Sequence, residues 1–198
     1  MVTELWTKQP TLTGRHVTLR PLVLADRDAL VAAAADGGLT ELFFTNVSGL
    51  SDPDAFMAAT FKERDFGRAM PFAVETPDGK LVGLTRYMRM SAQHKRLEIG
   101  GTFYAKSVQR SGVNTEAKLL LLTHAFEVLG CNAVQIRTDW FNKRSQAAIE
   151  RLGAKRDGVL RSHQTMDGRV RDLVVYSIIA SEWPGVRQNL RFLLSRHD

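Results

Sequence analysis

Apolar and polar residues alternate with a period of two in several short segments, a pattern typical of strands with one buried face. Around residues 17–22, for example, apolar Val17 and Leu19 alternate with polar Thr18 and Arg20. Two turn sequences, Pro77-Asp78-Gly79 and Asp167-Gly168, predict that the segments beside them form hairpins. The pattern predicts strands at residues 17–22, 72–76, 81–90, 97–104, 133–139, 154–166 and 170–179.

Helix start and stop signals separate these strands. Asp52-Pro53 combines a capping side chain with a proline suited to the first turn, and predicts a helix that runs to about Phe66. Gly130 and Gly153 stand where helices commonly end. The predicted helices cover residues 25–35, 53–66, 114–129, 145–152 and 183–196. The element order, β-α-α-β-β-β-α-β-α-β-β-α, predicts an α+β fold on a mixed sheet.

Length and composition place the chain among ordinary globular proteins. It has 198 residues, of which 44% are hydrophobic, and no linker-like stretch divides it, so we expect a single domain over residues 1–198. One cysteine, Cys131, excludes an internal disulfide and disfavours a cysteine-based zinc site. Apolar runs are far shorter than the roughly 20 residues that cross a bilayer. We therefore expect a cytoplasmic protein without a membrane segment.

The net charge of +6 is compatible with a polyanionic partner. Basic residues are interleaved with acidic ones, and no run of five like charges occurs, which disfavours a general nucleic-acid-binding protein. A small anionic cofactor fits the same charge. The histidines show no metal-ligand spacing such as H-x-x-x-H, so we predict no metal site.

The most informative stretch is Gln109-Arg110-Ser111-Gly112-Val113-Asn114-Thr115-Glu116-Ala117, which follows a predicted strand and opens a predicted helix. A helix N-terminus presents unpaired N–H groups and partial positive charge, so it can bind phosphate oxygens. Gly112 has no Cβ to block approach to the backbone, and Arg110 can add a charged contact. The alternative is an ordinary loop in which Asn114 or Thr115 caps the helix. The stretch alone does not decide between them.

Gln109 to Val113 resembles the acyl-CoA loop of the GNAT superfamily of N-acetyltransferases. The family loop usually has Gly where this chain has Arg110. Other segments resemble the RimJ/RimL-like branch of that superfamily, in the same order along the chain. They are Leu12–Leu22, Leu97–Gly100, Gly112–Lys118, Thr138–Ser145, Gly153-Ala154, Leu160-Arg161 and Glu182-Trp183-Pro184.

The resemblance implies a mostly antiparallel seven-stranded sheet, flanked by helices on both faces, whose fourth and fifth strands splay apart. It also implies acetyl-CoA as co-substrate, with its pantetheine arm in the gap between these strands and its pyrophosphate on the loop. The residues implied to hold it are Phe103, Tyr104, Gln109, Arg110, Ser111, Gly112, Val113, Asn114, Thr115, Asn142 and Ser145.

The implied activity is transfer of an acetyl group to a primary amine, by direct attack on the thioester. The amine must lose a proton, and Glu98 is the candidate base; the alternative is a structural carboxylate paired with Arg96 or Lys95. Ser145 is the candidate acid near the sulfur, or else a plain residue of the helix N-terminus. The acceptor, a peptide N-terminus or a small amine, would enter near residues 41–50.

Two other classes of protein stay open. One is a catalytically silent acyl-CoA-binding protein that acts as a sensor or scaffold. The other is a basic RNA- or ribosome-associated module, which would need clustered basic residues. A homodimer is compatible with the apolar side of the last predicted helix.

Overall fold

The computed structural model describes residues 2–197, and at residues 2, 3 and 46 it describes the backbone alone. The terminal residues of the predicted domain, 1 and 198, lie outside this range. The strands are β1 (Leu12–Thr13), β2 (Thr18–Pro21), β3 (Met70–Glu75), β4 (Leu81–Ser91), β5 (Arg96–Tyr104), β6 (Ala133–Asp139), β7 (Lys155–Met166) and β8 (Arg169–Ile179). The helices are α1 (Val2–Leu5), α2 (Arg27–Ala35), α3 (Pro53–Asp65), α4 (Gly112–Thr123), α5 (Lys143–Leu152) and α6 (Trp183–Leu194).

These strands form one sheet in the order β1-β2-β3-β4-β5-β6-β8-β7. Of the neighbouring pairs, β5 and β6 are parallel and the others antiparallel. The predicted mixed, mostly antiparallel sheet is therefore confirmed. It has eight strands within residues 2–197 instead of seven, because the two-residue β1 pairs with β2 but is too short to show alternation. The predicted fourth and fifth strands are β5 and β6.

Both predicted hairpins form. The β3–β4 turn closes with a hydrogen bond from Thr76 N–H to the Lys80 carbonyl. In the β7–β8 turn, Asp167 and Gly168 have φ values of 50° and 77°. Positive φ at both central positions matches the right-handed twist of a two-residue hairpin, which is why Asp-Gly is favoured there.

Helices cover both faces of the sheet, as predicted. Arg86 of β4 reaches α3, where its guanidinium lies 3.4 Å from Thr60 Oγ1. The next residue, Tyr87, donates a hydrogen bond of 2.6 Å to the Leu121 carbonyl of α4. Because successive strand side chains point to opposite faces, α3 and α4 lie on opposite sides of the sheet. α6 packs against α4, and Trp183 of α6 stacks on Phe126.

A single carboxylate joins the N-terminal segment to α4. Glu116, in the second turn of α4, accepts hydrogen bonds from the backbone N–H groups of Arg15, His16 and Val17, at 2.9, 2.6 and 2.9 Å. Gly14 makes room for this carboxylate, since a Cβ there would lie 2.3 Å from the Glu116 carboxyl carbon. The turn that leads into β2 is thereby fixed beside the start of α4.

Candidate active site

The sheet opens between β5 and β6. Their parallel ladder joins Arg96, Leu97 and Glu98 to Ala133, Val134 and Gln135, and no further pair is formed within the described residues. Just beyond Glu98 the register between β5 and β4 shifts, and Gly101 adopts a φ of 56°. Such a bulge bends the strand that carries it. The expected splay is confirmed, and a cavity of about 790 Å³ occupies the gap.

The loop before α4 and the first turn of α4 form one wall of this cavity. Ser111 is the N-cap: its Oγ accepts from Val113 N–H at 3.3 Å and donates to the Val108 carbonyl at 2.6 Å. The helix therefore begins at Gly112, two residues earlier than predicted. The alternative in which Asn114 or Thr115 caps the helix is wrong, because Thr115 is buried one turn inside and its Oγ1 accepts from Arg151 at 3.1 Å.

Arg110 adopts a φ of 64°, in the left-handed region that glycine normally fills. The family loop usually has Gly here, and the arginine reproduces the backbone conformation that a glycine would supply. A non-glycine residue in this region costs about 1 kcal/mol. Arg110 therefore keeps a left-handed backbone conformation and adds a cation beside the helix N-terminus.

Gly112 makes close contact with a neighbouring side chain. A Cβ at this position would lie 2.9 Å from His16 Cδ2. The sequence suggested that the missing Cβ leaves room for a phosphate, but the structure shows that it first leaves room for His16. The loop therefore packs through Gly112 against His16, which belongs to the N-terminal turn that Glu116 holds.

Side chains of α5 bridge to the loop and to α4. Arg144 donates to Gln109 Oε1 at 2.9 Å, and Gln109 Nε2 donates to the Tyr104 carbonyl at 3.0 Å. At the start of α5, Asn142 Oδ1 accepts from Ser145 N–H at 3.0 Å, so Asn142 is the N-cap. This leaves the Asn142 amide nitrogen and the Ser145 hydroxyl available to the cavity, which both residues line.

The predicted site residues fall into two groups. Most line the cavity: Glu98, Phe103, Tyr104, Gln109, Arg110, Ser111, Asn114, Asn142 and Ser145. Gly112, Val113 and Thr115 are buried behind the first turn of α4 and are not among the lining residues. The hydroxyl of Tyr104 is buried without a hydrogen-bond partner among the described residues.

Glu98 is buried at the point where β5 and β6 separate, with 4% of its surface exposed. Its Oε2 lies 2.8 Å from Arg89 Nη1 and 3.1 Å from Arg137 Nε. Burial raises the pKa of this carboxyl, and the two guanidinium groups oppose that rise. The alternative pairing with Arg96 or Lys95 is not found; the partners come from β4 and β6.

Lys118 is a lining residue that the sequence did not single out. It lies on α4, is buried, and its Nζ is 3.1 Å from Thr102 Oγ1. No carboxylate of the described residues forms an ion pair with it. Burial lowers the pKa of Lys118 to about 7. The sequence around Lys118 does not distinguish it from a lysine on the solvent-facing side of a helix, so the sequence does not predict its burial.

Lys118→Met should raise the free energy of unfolding, and more so at pH 7 than at pH 9.5. With a pKa near 7 in the folded state, Lys118 binds fewer protons than in the unfolded chain, whose lysine titrates near 10.5. Stability therefore rises with pH across this window, and the lysine costs most at its lower end. We expect a gain of roughly 2 kcal/mol at pH 7, measured by chemical denaturation. Lys62→Met, at an exposed position of α3, is the control; equal gains at both pH values would contradict a buried lysine.

Comparison with known proteins agrees with this geometry. The model of the acetyltransferase (GNAT) domain matches residues 16–155. YdaF of Bacillus subtilis (strain 168), named as a candidate ribosomal N-acetyltransferase, is 35% identical over 108 residues, which are 54% of this chain and 58% of YdaF. The match thus spans less than two thirds of that relative.

Solved structures cover nearly the whole chain. A candidate acetyltransferase of T. thermophilus is 36% identical, with a TM-score of 0.82 over 94% of this chain and 98% of the other. Mycobacterium smegmatis RimJ, solved with CoA-disulfide, shares the fold at 22% identity, with a TM-score of 0.75 over 96% of each chain. The chain therefore belongs to the GNAT acetyltransferase family and is an acyltransferase, as its resemblance to the RimJ/RimL-like branch predicts.

Proposed function

We propose that this protein binds acetyl-CoA in the gap between β5 and β6 and transfers the acetyl group to a primary amine. One observation supports the proposal above all others: an open sheet edge, the N-terminus of α4 and the buried Glu98 all line the same cavity. GNAT proteins use acetyl-CoA, and the structure offers distinct groups for each part of that molecule.

The diphosphate fits the loop and the first turn of α4. N–H groups at a helix N-terminus bind phosphate oxygens, and three arginines line this part of the cavity, namely Arg110, Arg144 and Arg151. The pantetheine arm fits along β5 beyond Glu98, where the strand has no pairing partner on the β6 side among the described residues. An amide in that position would satisfy backbone groups of β5 such as those at Phe103 and Tyr104, and Asn142 would add a side-chain donor.

Catalysis requires a neutral amine, since an alkylammonium ion has no lone pair. Glu98, with its pKa raised by burial, would accept that proton directly or through water. Arg89 and Arg137 hold the carboxylate in place and oppose the rise in its pKa that burial causes. Ser145, whose hydroxyl has no partner among the described residues, would donate a proton to the departing sulfur.

Thiol release tests this proposal. The protein is incubated with acetyl-CoA and a panel of amines that includes peptides with free N-termini and small amines, and free CoA thiol is measured. We expect amine-dependent thiol release from at least one member. Binding of acetyl-CoA without release for every amine would instead support the silent acyl-CoA-binding alternative.

Acetyl-CoA alone should raise the melting temperature. A ligand that binds only the folded state adds about 2.7 kcal/mol at a concentration of 100 Kd, which for a chain of this size corresponds to roughly 5–10 °C. Acetyl-pantetheine, which lacks the nucleotide and its phosphate groups, is the matched control and should give a much smaller shift. Equal shifts with both compounds would remove the phosphate site at α4 from the proposal.

A further inference from the structure

Part of the cavity lies on the α3 face of the sheet, and we call this part the α3 compartment. Its walls come from the segment between α2 and α3, from α3 itself and from β4. The apolar residues that line it are Leu39, Leu42, Phe44, Val47 and Phe56. We call these residues the apolar wall. Glu98 lines the same cavity and faces the same side of the sheet as this compartment.

The acids of the cavity are already neutralised by the protein. Glu98 is paired with Arg89 and Arg137. Asp139, whose side chain is fully buried, is paired with Arg169 and lies 3.8 Å from Arg171. Neither carboxylate is therefore left as a partner for a positively charged substrate. The cavity as a whole carries an excess of positive charge.

Arg86 is the cation of this compartment that has no acidic partner. It forms no ion pair with a described carboxylate, and its Nε is buried without a hydrogen-bond partner. Its contacts are a 3.4 Å approach to Thr60 Oγ1 and a ring contact, 5.7 Å from the Phe56 centroid. Burial lowers its pKa, with only the charge of Glu63 acting in the opposite direction. A guanidinium held this way has donors left for a planar anion.

The register places Arg86 within reach of the same substrate as Glu98. Arg86 is opposite Gly100, and Met88 is opposite Glu98, so Arg86 and Glu98 are diagonal neighbours on adjacent antiparallel strands. Such positions are roughly 7–8 Å apart and face the same side of the sheet. A substrate can therefore present its amine to Glu98 and an anionic group to Arg86 at once.

We propose that the acceptor is an amine that also carries a carboxylate on an apolar frame, and that Arg86 binds the carboxylate while the apolar wall holds the frame. This inference rests on the proposed function. A carboxylate matches the guanidinium because two parallel hydrogen bonds can form between the two planar groups. The acceptor class is then that of amino acids or their derivatives with apolar side chains and a free carboxyl group.

The test compares paired ligands in binding and in turnover. Protein saturated with CoA is titrated by calorimetry with apolar α-amino acids and with longer amino acids, each beside its own carboxamide. Loss of a charge-assisted hydrogen bond costs about tenfold to hundredfold, so we expect at least one acid to bind that much more tightly than its amide. The same preference should appear in kcat/KM for thiol release from acetyl-CoA.

Variants assign the preference to Arg86. Arg86→Gln should reduce the preference for the acid to about twofold or less, and Arg86→Met, which keeps the apolar stem, should do the same if the Gln variant fails to fold. Arg68→Gln removes one surface charge outside the cavity and should leave the preference intact. Equal binding of acid and amide by the unaltered protein, no binding of any acid, a preference retained in both Arg86 variants, or tighter binding of a phosphorylated amine would each overturn the inference.

The design separates this inference from the proposed function. Thiol release with acids and amides alike would leave the acetyltransferase proposal standing and overturn the carboxylate site. Preferential binding of acids without thiol release from any amine would support the site and count against the transfer reaction.

Discussion

Glu98→Gln should lower kcat by about a hundredfold or more and leave the affinity for acetyl-CoA within about twofold, because general base catalysis contributes roughly 10²–10⁴ to rate. Glutamine fills nearly the same volume and can still accept from Arg89, so the buried site between β5 and β6 stays filled. What it loses is the ability to take a proton. Turnover is measured by thiol release at saturating acetyl-CoA, and affinity by calorimetry.

The pH dependence distinguishes a base from a structural carboxylate. Burial raises the pKa of Glu98, so kcat/KM should fall on the acid side at a pH above that of an ordinary glutamate. Arg137→Gln removes one of the two charges that hold this pKa down, and should move the acid limb to higher pH. If Glu98 were only a structural carboxylate, Arg137→Gln would lower activity without shifting the acid limb of the kcat/KM profile. An Arg137→Gln profile that coincides with that of the unaltered protein would therefore exclude Glu98 as the base.

Glu116→Ala should have the largest effect on stability. The carboxylate accepts hydrogen bonds from three backbone N–H groups of residues 15–17, and alanine would leave these donors without an acceptor in a partly buried turn. Each unsatisfied buried donor costs about 1–3 kcal/mol, so we expect a loss of roughly 3–5 kcal/mol and a melting temperature lower by about 10 °C. Thermal and chemical denaturation both measure this.

A matched variant controls for the general effect of losing a glutamate from a helix. Glu150→Ala on α5 removes one hydrogen bond, from Tyr176, near the surface and should cost about 1 kcal/mol. Glu116→Gln keeps an acceptor oxygen but loses the charge, and its stability should lie between those of the original protein and Glu116→Ala. A Glu116→Ala loss no larger than that of Glu150→Ala would mean that the three hydrogen bonds do not hold the turn.

Local sequence signals predicted most of the fold because they act over a few residues. Asp52-Pro53 predicted the start of α3, where Asp52 does accept from Ala55 N–H, and Gly153 predicted the end of α5, where it adopts a φ of 102°. The 3₁₀ segments Leu39–Glu41 and Asn46–Ser51 were not predicted. They have no regular spacing, and their conformation depends on packing against distant parts of the chain.

The sequence predicted where the site lies, but not the ion pairs and hydrogen bonds that its residues make. Glu98 was placed at the cleft because strand alternation fixes its direction. Its partners were not predicted, because Arg89 depends on the register shift in β4 between Met88 and Ser91, and Arg137 depends on the parallel pairing of β5 with β6. The capping residue of α4 was misplaced because Ser111, Asn114 and Thr115 are all good N-caps and only the tertiary environment selects one. Arg86 and Lys118 have ordinary sequence surroundings, so their burial follows from packing alone.

Because Glu116 anchors the N-terminal turn to α4, binding of ligand at α4 should affect how firmly the N-terminal segment is held. The helix start that we propose as the diphosphate site also contacts residues 14–17, through Glu116 and through the packing of Gly112 against His16. If bound acetyl-CoA strengthens the attachment of residues 14–17, that attachment strengthens acetyl-CoA binding by the same free energy. Acetyl-CoA would then shield the first twenty residues from proteases, and a protein clipped in that segment would hold its nucleotide more weakly.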